Sequence, residues 1–242
     1  MSAVDLHARP SRDFEAKLAQ TQQLLVRAAA EFAPLKQASS LGAEDVVITH
    51  LINGLALDIP VFVLETGMLH AETLALLERL RASSRTPVEI YRPSNESVVT
   101  FVAREGKEAM YRSIELRKAC CGIRKMEPLE RALAGQRGWI TGLRREQSNA
   151  RAEVPLVDTS DAKRVKLNPL ADWSWGDVWH YIGANAVDYN PLHDQFYPSI
   201  GCAPCTRAIS LGEDFRAGRW WWEDEAAKEC GLHVKNEEKA PA

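Results

Sequence analysis

The chain has 242 residues, of which 45% are hydrophobic and 26% are charged, and its formal net charge is −3. This length suits one sizeable α/β domain. No apolar run approaches the ~18–20 residues that a membrane-spanning helix needs. Because the chain is mildly acidic, we do not expect a general nucleic-acid binder. Residues 1–12 lack the apolar stretch of a secretory signal, so we expect a cytoplasmic protein whose clustered cysteines stay reduced and serve metal binding or catalysis.

Helical and strand-like segments alternate along the first 91 residues. The hydrophobic periodicity predicts, in chain order, a helix over residues 13–33, a short strand from Lys36, a loop over 39–42, a helix over 44–55, a buried strand over 60–64, a helix over 69–83 and a strand over 88–91. Continuous apolar strands separated by helices are typical of a parallel sheet. The pattern therefore predicts an α/β fold with a doubly wound, mostly parallel sheet.

The second half of the chain contains fewer clear elements. Residues 139–142 and 165–167 read as strands, the latter at the margin of the sheet, and Ser174 is placed to cap a helix that begins at Trp175. We find no linker, and we expect a single domain over residues 1–233 that ends in a flexible tail, with residues 234–242 disordered.

Four of the five cysteines form two close pairs. Cys120 and Cys121 are adjacent, and Cys202 and Cys205 are separated by two residues. The second spacing suits structural zinc, but adjacent helical residues project about 100° apart, which is awkward for one small tetrahedral ion. A 4Fe–4S cube accepts neighbouring thiolates more readily, so this geometry favours a cluster without excluding zinc. Buried inert cysteines beside a redox pair are a further interpretation.

The fifth cysteine, Cys230, lies in a hydrophilic stretch near the C-terminus, Glu-Cys-Gly-Leu-His. We expect it to be exposed, and Lys228 or His233 could assist its ionisation to the nucleophilic thiolate. The two cysteine pairs and this tail thiol predict a division of labour between metal binding and catalysis.

Seven short motifs follow one another along the chain: Ser-Ser-Leu-Gly-Ala-Glu-Asp, Leu-Glu-Thr-Gly, Cys-Cys-Gly-Ile-Arg-Lys, Gly-Leu-Arg-Arg-Glu-Gln-Ser, Gly-Cys-Ala-Pro-Cys-Thr-Arg, Gly-Arg-Trp-Trp-Trp-Glu and Glu-Cys-Gly-Leu-His. Over residues 35–233 this order resembles the iron–sulfur branch of the assimilatory sulfonucleotide reductases, the adenylyl-sulfate (adenosine 5′-phosphosulfate) reductases. The resemblance implies a 4Fe–4S cluster held by the two cysteine pairs. It also implies reduction of adenosine 5′-phosphosulfate to sulfite and AMP, with Cys230 as nucleophile and thioredoxin (or glutaredoxin) as electron donor, in sulfate assimilation and cysteine biosynthesis.

The loop Ser39-Ser40-Leu41-Gly42 lies between a strand and a helix, where backbone N–H groups and hydroxyls can hold oxyanions. It resembles the PP-loop of the nucleotide alpha hydrolases, but serine and leucine replace two glycines of that motif, which argues against ATP adenylation. A plain capped turn is the alternative. The segment Leu64-Glu65-Thr66-Gly67 ends a strand at the edge where such sheets bind ligands, and the resemblance places it in the adenosine pocket.

Basic residues supply candidates for binding the anionic part of the ligand. Lys125 lies one helical turn beyond Cys121, and guanidinium groups suit phosphate and sulfate oxygens. The candidates are Lys125, Arg144, Arg145, Arg216 and Arg219. The resemblance supports Lys125, Arg216 and Arg219 most strongly. Three consecutive aromatics, at residues 220–222, cannot all face one core, so at least one is expected to meet a ligand, a partner or another subunit.

Three alternatives stay open. The substrate could be the 3′-phosphorylated nucleotide. The chain could be an adenylating or tRNA-thiolating enzyme, although the usual loop and a basic RNA-binding surface are missing. It could also be a non-catalytic zinc or iron–sulfur redox sensor with Cys230 as its sensing thiol. We expect a homo-oligomer.

Overall fold

A computed structural model describes residues 1–210 and 212–224. Its helices are α1 (Ala3–His7), α2 (Phe14–Glu31), α3 (Ala43–Gly54), α4 (Ala71–Ser83), α5 (Asn95–Glu105), α6 (Ile114–Cys121), α7 (Glu127–Ala132) and α8 (Trp175–Ala184). Its strands are β1 (Leu35–Ser39), β2 (Val61–Leu64), β3 (Val88–Tyr91), β4 (Gly138–Ile140), β5 (Val157–Asp158) and β6 (Val165–Leu167). No helix among these residues is long and apolar enough to span a membrane.

The strands form one six-stranded sheet in the order β3-β2-β1-β4-β6-β5. All neighbouring pairs are parallel except β5 with β6. The predicted doubly wound, mostly parallel α/β sheet is therefore confirmed. The strand order reverses between β1 and β4, and such a switch point opens a crevice at the carboxyl ends of the strands.

Alternate residues of each strand serve the two faces of the sheet. Val63 and Ile140 belong to the main apolar core, which also contains buried residues of α2, α3, α4 and α8. Phe62 and Trp139 point to a smaller core formed with α7. Helices thus cover both faces, which explains the nearly continuous apolar character of β2.

One predicted strand differs from the structure in its place in the sheet, and one predicted helix is confirmed. The strand at residues 165–167 is β6, but it lies inside the sheet, because the short antiparallel β5 covers it and forms the margin. A strand of two residues carries too little periodicity to be read from sequence. The helix after Ser174 is α8, and Ser174 accepts a hydrogen bond from the Asp177 N–H at 3.0 Å, as a capping residue should.

Candidate active site

A cavity of about 200 Å³ opens at the carboxyl ends of β1, β2 and β4. Eight of the residues predicted to bind substrate line it: Ser39, Ser40, Gly42, Leu64, Thr66, Lys125, Arg216 and Arg219. They come from the last residues of β1 and β2 and the loops that follow, from the helical segment after α6 and from residues 212–224. The switch point of the sheet therefore brings together residues that are far apart in the sequence.

The loop after β1 is held in place by a buried carboxylate. Asp45, in the first turn of α3, accepts hydrogen bonds from the Ser40 N–H at 2.6 Å and from the Ser40 Oγ–H at 2.7 Å. The Ser40 hydroxyl thus donates within the protein, and its lone pairs remain available to accept from a ligand. Asp45 is only 7% exposed, and burial raises its pKa to about 6 despite these hydrogen bonds.

The raised pKa of Asp45 makes stability depend on pH. The folded state binds the proton more tightly than the unfolded state, whose pKa is near 3.8, so ionisation of Asp45 lowers the free energy of unfolding as the pH rises from about 4 through about 6. Asp45→Asn should remove this loss. Relative to wild type, the free energy of unfolding of the variant should increase by about 2.4 kcal/mol between pH 4 and pH 8, whatever constant cost the amide adds.

Urea denaturation at both pH values measures this difference. Asp161→Asn, at an exposed position, is the matched control and should show no such change. A pH-independent difference between Asp45→Asn and wild type would contradict the assignment.

The cavity also has a cationic part. Arg216 and Arg219 are buried and only 8% and 7% exposed, and the Arg219 guanidinium stacks on the Trp220 ring at 4.6 Å. Its Nη1 donates to the Ile200 carbonyl at 3.3 Å, while its Nε finds no partner among the described residues. A side chain at Gly201 would meet this guanidinium at 2.4 Å, so the absence of a Cβ there leaves room for it. Fixed, desolvated guanidinium groups are well suited to bind a phosphate or sulfate group.

Four other predicted residues do not line the cavity. Arg144 is 1% exposed, and its guanidinium is paired with Glu44 at 2.9 Å and with Glu146 at 2.8 Å. Arg145 pairs with Asp172 and donates to the Val154 carbonyl. Both arginines instead join the loop after β4 to its neighbours.

Glu65 and Gly67 likewise stay outside the lining. The Glu65 carboxylate accepts from the Gly67 N–H at 2.6 Å and from Arg92 Nε at 2.9 Å. Gly67 has φ +72°, a conformation that glycine adopts without strain. These two residues shape the turn after β2.

The sequence analysis missed several residues of the lining, notably Glu44, Asp45, Gln147, Arg151 and Phe215. Glu44 and Asp45 directly follow the predicted loop, so two acidic residues in the first turn of α3 were a usable signal. Arg151 is 7% exposed and donates to Gln147 Oε1 at 2.6 Å. No local pattern pointed to it, because only tertiary packing turns residues 145–151 towards the cavity.

The two cysteine pairs meet in a niche beside the cavity. Cys120, Cys121, Cys202 and Cys205 all line it, and none forms a disulfide. Three are buried and Cys121 is half-buried. The Cys202 Sγ is hydrogen-bonded to Thr66 Oγ1, a cavity residue, at 3.2 Å. Lys125 lines both the niche and the cavity, so the two sites share a wall.

A π-helical turn, Gly122–Met126, separates α6 from α7 and begins directly after the adjacent cysteines. Such wide turns are frequent at functional sites because they redirect side chains within a continuous helix. Arg124 and Lys125 lie in this turn, and Arg124 Nη1 donates to the Thr66 carbonyl at 2.6 Å. The turn thus connects the adjacent cysteines to the loop after β2.

The niche fits a metal–sulfur group in its donor set. Burial raises the pKa of the Cys205 thiol to about 12, with a further contribution from the nearby Cys202, and burial also raises the pKa of Cys120. Because thiolates are the ligating form, binding of a metal–sulfur group here must release protons. The indole N–H of Trp220, which packs in the same apolar cluster, has no hydrogen-bond partner in the part of the chain that the structure describes. Within residues 1–210 and 212–224, no three His, Cys, Asp or Glu side chains are grouped to hold a single metal ion. Four thiols around one space, with an unused donor beside them, fit a sulfide-containing cluster.

The predicted nucleophile Cys230, with Lys228 and His233, lies outside the described residues, as does the predicted tail 234–242. The division of the chain at residue 233 stays a prediction.

The fold and the site define a class of protein, a nucleotide-binding α/β protein with a thiol-rich centre. Its features are the doubly wound sheet, the cationic cavity at the switch point and the four-thiol niche beside that cavity. Comparison with protein families makes this specific. Residues 34–208 match the phosphoadenosine phosphosulfate reductase domain. The chain therefore belongs to that family.

Relatives and solved structures agree with this assignment. Adenosine 5′-phosphosulfate reductase of Allochromatium vinosum is 52% identical over 87% of this chain and 83% of its own length. The Burkholderia cepacia enzyme of the same name is 49% identical over 95% and 92%. The phosphoadenylyl-sulfate reductase structure from Candida auris is 27% identical, with a TM-score of 0.67 over 78% of this chain and 90% of its own. The Candida glabrata FMN adenylyltransferase structure, 12% identical with a TM-score of 0.57 over 90% and 75%, shares the fold alone.

Proposed function

We propose that this chain is an adenosine 5′-phosphosulfate reductase, which forms sulfite and AMP. The observation that carries the proposal is the shared wall between a cationic cavity and a niche of four thiols. An anionic sulfonucleotide needs a cationic cavity, and the iron–sulfur branch that the sequence resembles uses four thiols to hold its cluster. The names of the relatives with about 50% identity support the same activity.

In the proposed reaction, the Cys230 thiolate attacks the sulfuryl sulfur and a new S–S bond forms. The S–O bond to the phosphate breaks, and AMP leaves with that electron pair, so Cys230 carries a sulfonate. A thiolate of thioredoxin or glutaredoxin then attacks the Cys230 sulfur, and sulfite leaves with the electrons of the S–S bond. The second thiol of the donor resolves the mixed disulfide and regenerates Cys230. Covalent catalysis of this kind divides one difficult step into easier ones.

The residues of the cavity have distinct tasks in this scheme. The guanidinium groups of Arg216 and Arg219 hold the phosphosulfate, and Lys125 lies between that group and the thiols. The loop after β1 was expected to hold oxyanions. Because Asp45 accepts both the N–H and the Oγ–H of Ser40, we instead assign the loop to accepting hydrogen bonds from the nucleoside. Arg144 and Arg145 keep the loop after β4 in place.

We assign a 4Fe–4S cluster to Cys120, Cys121, Cys202 and Cys205. When bound, such a cluster would tie α6 to the loop of residues 202–205 and add negative charge beside the anion site. The cationic Lys125 and Arg124 are placed to offset that charge.

The choice between the two nucleotides concerns the ribose 3′ position. The relatives with about 50% identity are named for the unphosphorylated nucleotide. Adenosine 5′-phosphosulfate is therefore the preferred substrate in this proposal. The test is sulfite release with purified protein, thioredoxin and each nucleotide. A higher kcat/KM for adenosine 5′-phosphosulfate supports the proposal, a higher value for its 3′-phosphorylated form assigns that substrate instead, and no sulfite from either refutes reductase activity.

Replacement of Lys125 tests the shared wall. Lys125→Ala should raise the KM for the sulfonucleotide by about 10- to 150-fold, the equivalent of one lost charged hydrogen bond of about 1.5–3 kcal/mol. Steady-state kinetics measure this effect, with the iron content determined in parallel. Lys118→Ala removes an exposed lysine of the same helical segment and should behave as wild type. An unchanged KM in Lys125→Ala would place the anion elsewhere.

A further inference from the structure

A buried ion pair joins the cysteine-bearing helix to the end of the described chain. Arg117 on α6 is 1% exposed, and the Glu223 side chain is 3% exposed. The contact is bidentate, with Arg117 Nε to Glu223 Oε1 at 2.9 Å and Arg117 Nη2 to Glu223 Oε2 at 2.7 Å. Neither residue lines the cavity, so substrate binding does not account for this pair.

Arg117 also contacts the thiol niche and the aromatic residues beside it. Its guanidinium lies over the Trp220 ring at 4.7 Å, and it lines the niche together with Cys120, three residues further along α6. The Glu223 N–H in turn donates to the Trp220 carbonyl at 2.9 Å. One guanidinium therefore fixes the helix of the adjacent cysteines, the ring of Trp220 and the backbone at Glu223 relative to each other.

A pair of this kind is a poor device for stability alone. Two charges lose their hydration on burial, and apolar residues of similar volume often stabilise a fold as well or better. What a bidentate arginine–carboxylate contact adds is a fixed position and direction. Glu223 lies seven residues before Cys230, and seven residues of any chain span at most about 25 Å.

We propose that Arg117 and Glu223 are positioning residues for the reaction: they fix where the chain leaves the thiol niche and so set how often the Cys230 thiolate reaches the sulfuryl group. The inference rests on the proposed function. A nucleophile gains its rate from the effective concentration and orientation that the residues anchoring its chain provide. Release of the anchor should therefore slow formation of the Cys230 sulfonate without weakening the binding of the nucleotide.

The experiment compares Glu223→Gln with wild type in three measurements: the single-turnover rate of sulfonate formation on Cys230 by mass spectrometry, the Kd for AMP, and iron per chain. We expect a rate at least about tenfold lower, with the Kd and the iron content unchanged. Asp224→Asn, the exposed neighbour, is the matched control and should react as wild type, while Glu223→Asp should recover part of the rate.

Two outcomes overturn the inference: a wild-type rate in Glu223→Gln, or a loss of rate in proportion to a loss of iron, which would make the pair structural. If Glu223→Gln does not fold, the double variant Arg117→Met/Glu223→Leu removes both charges at similar volume. The same tenfold decrease is expected there, and a wild-type rate in it overturns the inference. Failure of the wild-type protein to form any sulfonate would instead refute the proposed function.

Discussion

Cys230→Ser should release no measurable sulfite, and turnover should fall by at least about three orders of magnitude. A serine hydroxyl is far less nucleophilic at neutral pH than a thiolate. Even if serine captured the sulfuryl group, the product would be a sulfate ester with an O–S bond. The donor thiol would then have no S–S bond to attack, and the electron pair that leaves with sulfite would be missing. Mass spectrometry after a single turnover should find no adduct on the variant.

The control for this prediction is the remainder of the molecule. The described residues that line the cavity and the niche are unchanged in this variant, so the iron content and the affinity for AMP should match those of wild type. If Cys230→Ser released sulfite at the wild-type rate, the nucleophile would be another group and the proposed reaction would have to be abandoned.

Cys120→Ser should lose iron and activity together. Cys120 is buried in the last turn of α6 and lines the niche with the other three thiols. A serine oxygen is a harder and weaker ligand for iron in a sulfide cluster than a thiolate. Loss of the cluster would also remove the connection between α6 and the loop of residues 202–205, and with it the placement of Lys125 and Thr66. We expect less than about a tenth of the wild-type iron and no detectable sulfite release.

Ala119→Ser provides the matched control, since it introduces the same side chain at the adjacent, exposed position of α6. It should keep its brown colour, its iron and its activity. Metal analysis of the wild-type protein separates the alternatives: about four irons per chain support the cluster, whereas a single zinc would assign the niche to a structural zinc site. Full activity in iron-depleted wild type would contradict any role of the cluster in the reaction.

Local sequence patterns were sufficient to predict an element where a residue type at that position has a single physical role. The apolar run at residues 60–64 predicted β2 because a strand buried on both faces must be apolar throughout. Ser174 predicted the start of α8 because its hydroxyl satisfies a free N–H of the first turn. The order of the cysteine and glycine motifs predicted the family, which the relatives confirm.

Local patterns do not tell which arginines bind a ligand and which pair with carboxylates of the protein. Five cationic residues were candidates for the anion site, and in the sequence all five follow strands or cysteines in similar ways. The resemblance favoured Lys125, Arg216 and Arg219, and the fold supplies the physical reason. Arg144 meets the buried Glu44 and Arg145 meets Asp172, whereas the three favoured residues line the cavity. A guanidinium binds a ligand anion or a protein carboxylate by the same hydrogen bonds, so the choice depends on which acceptor the neighbouring elements supply.

The sequence by itself thus determined the class of fold, the two thiol pairs, the tail nucleophile as a prediction and the family. It could do so because periodicity and short motifs are properties of neighbouring residues. The tertiary structure alone decided that β1, β2 and β4 place their loops around one cavity, that Lys125 lies in both the cavity and the niche, and that Arg117 joins Glu223 across 106 residues of chain. Contacts of this length are set by the strand order and by the burial of charge, and neither leaves a local signal in the sequence.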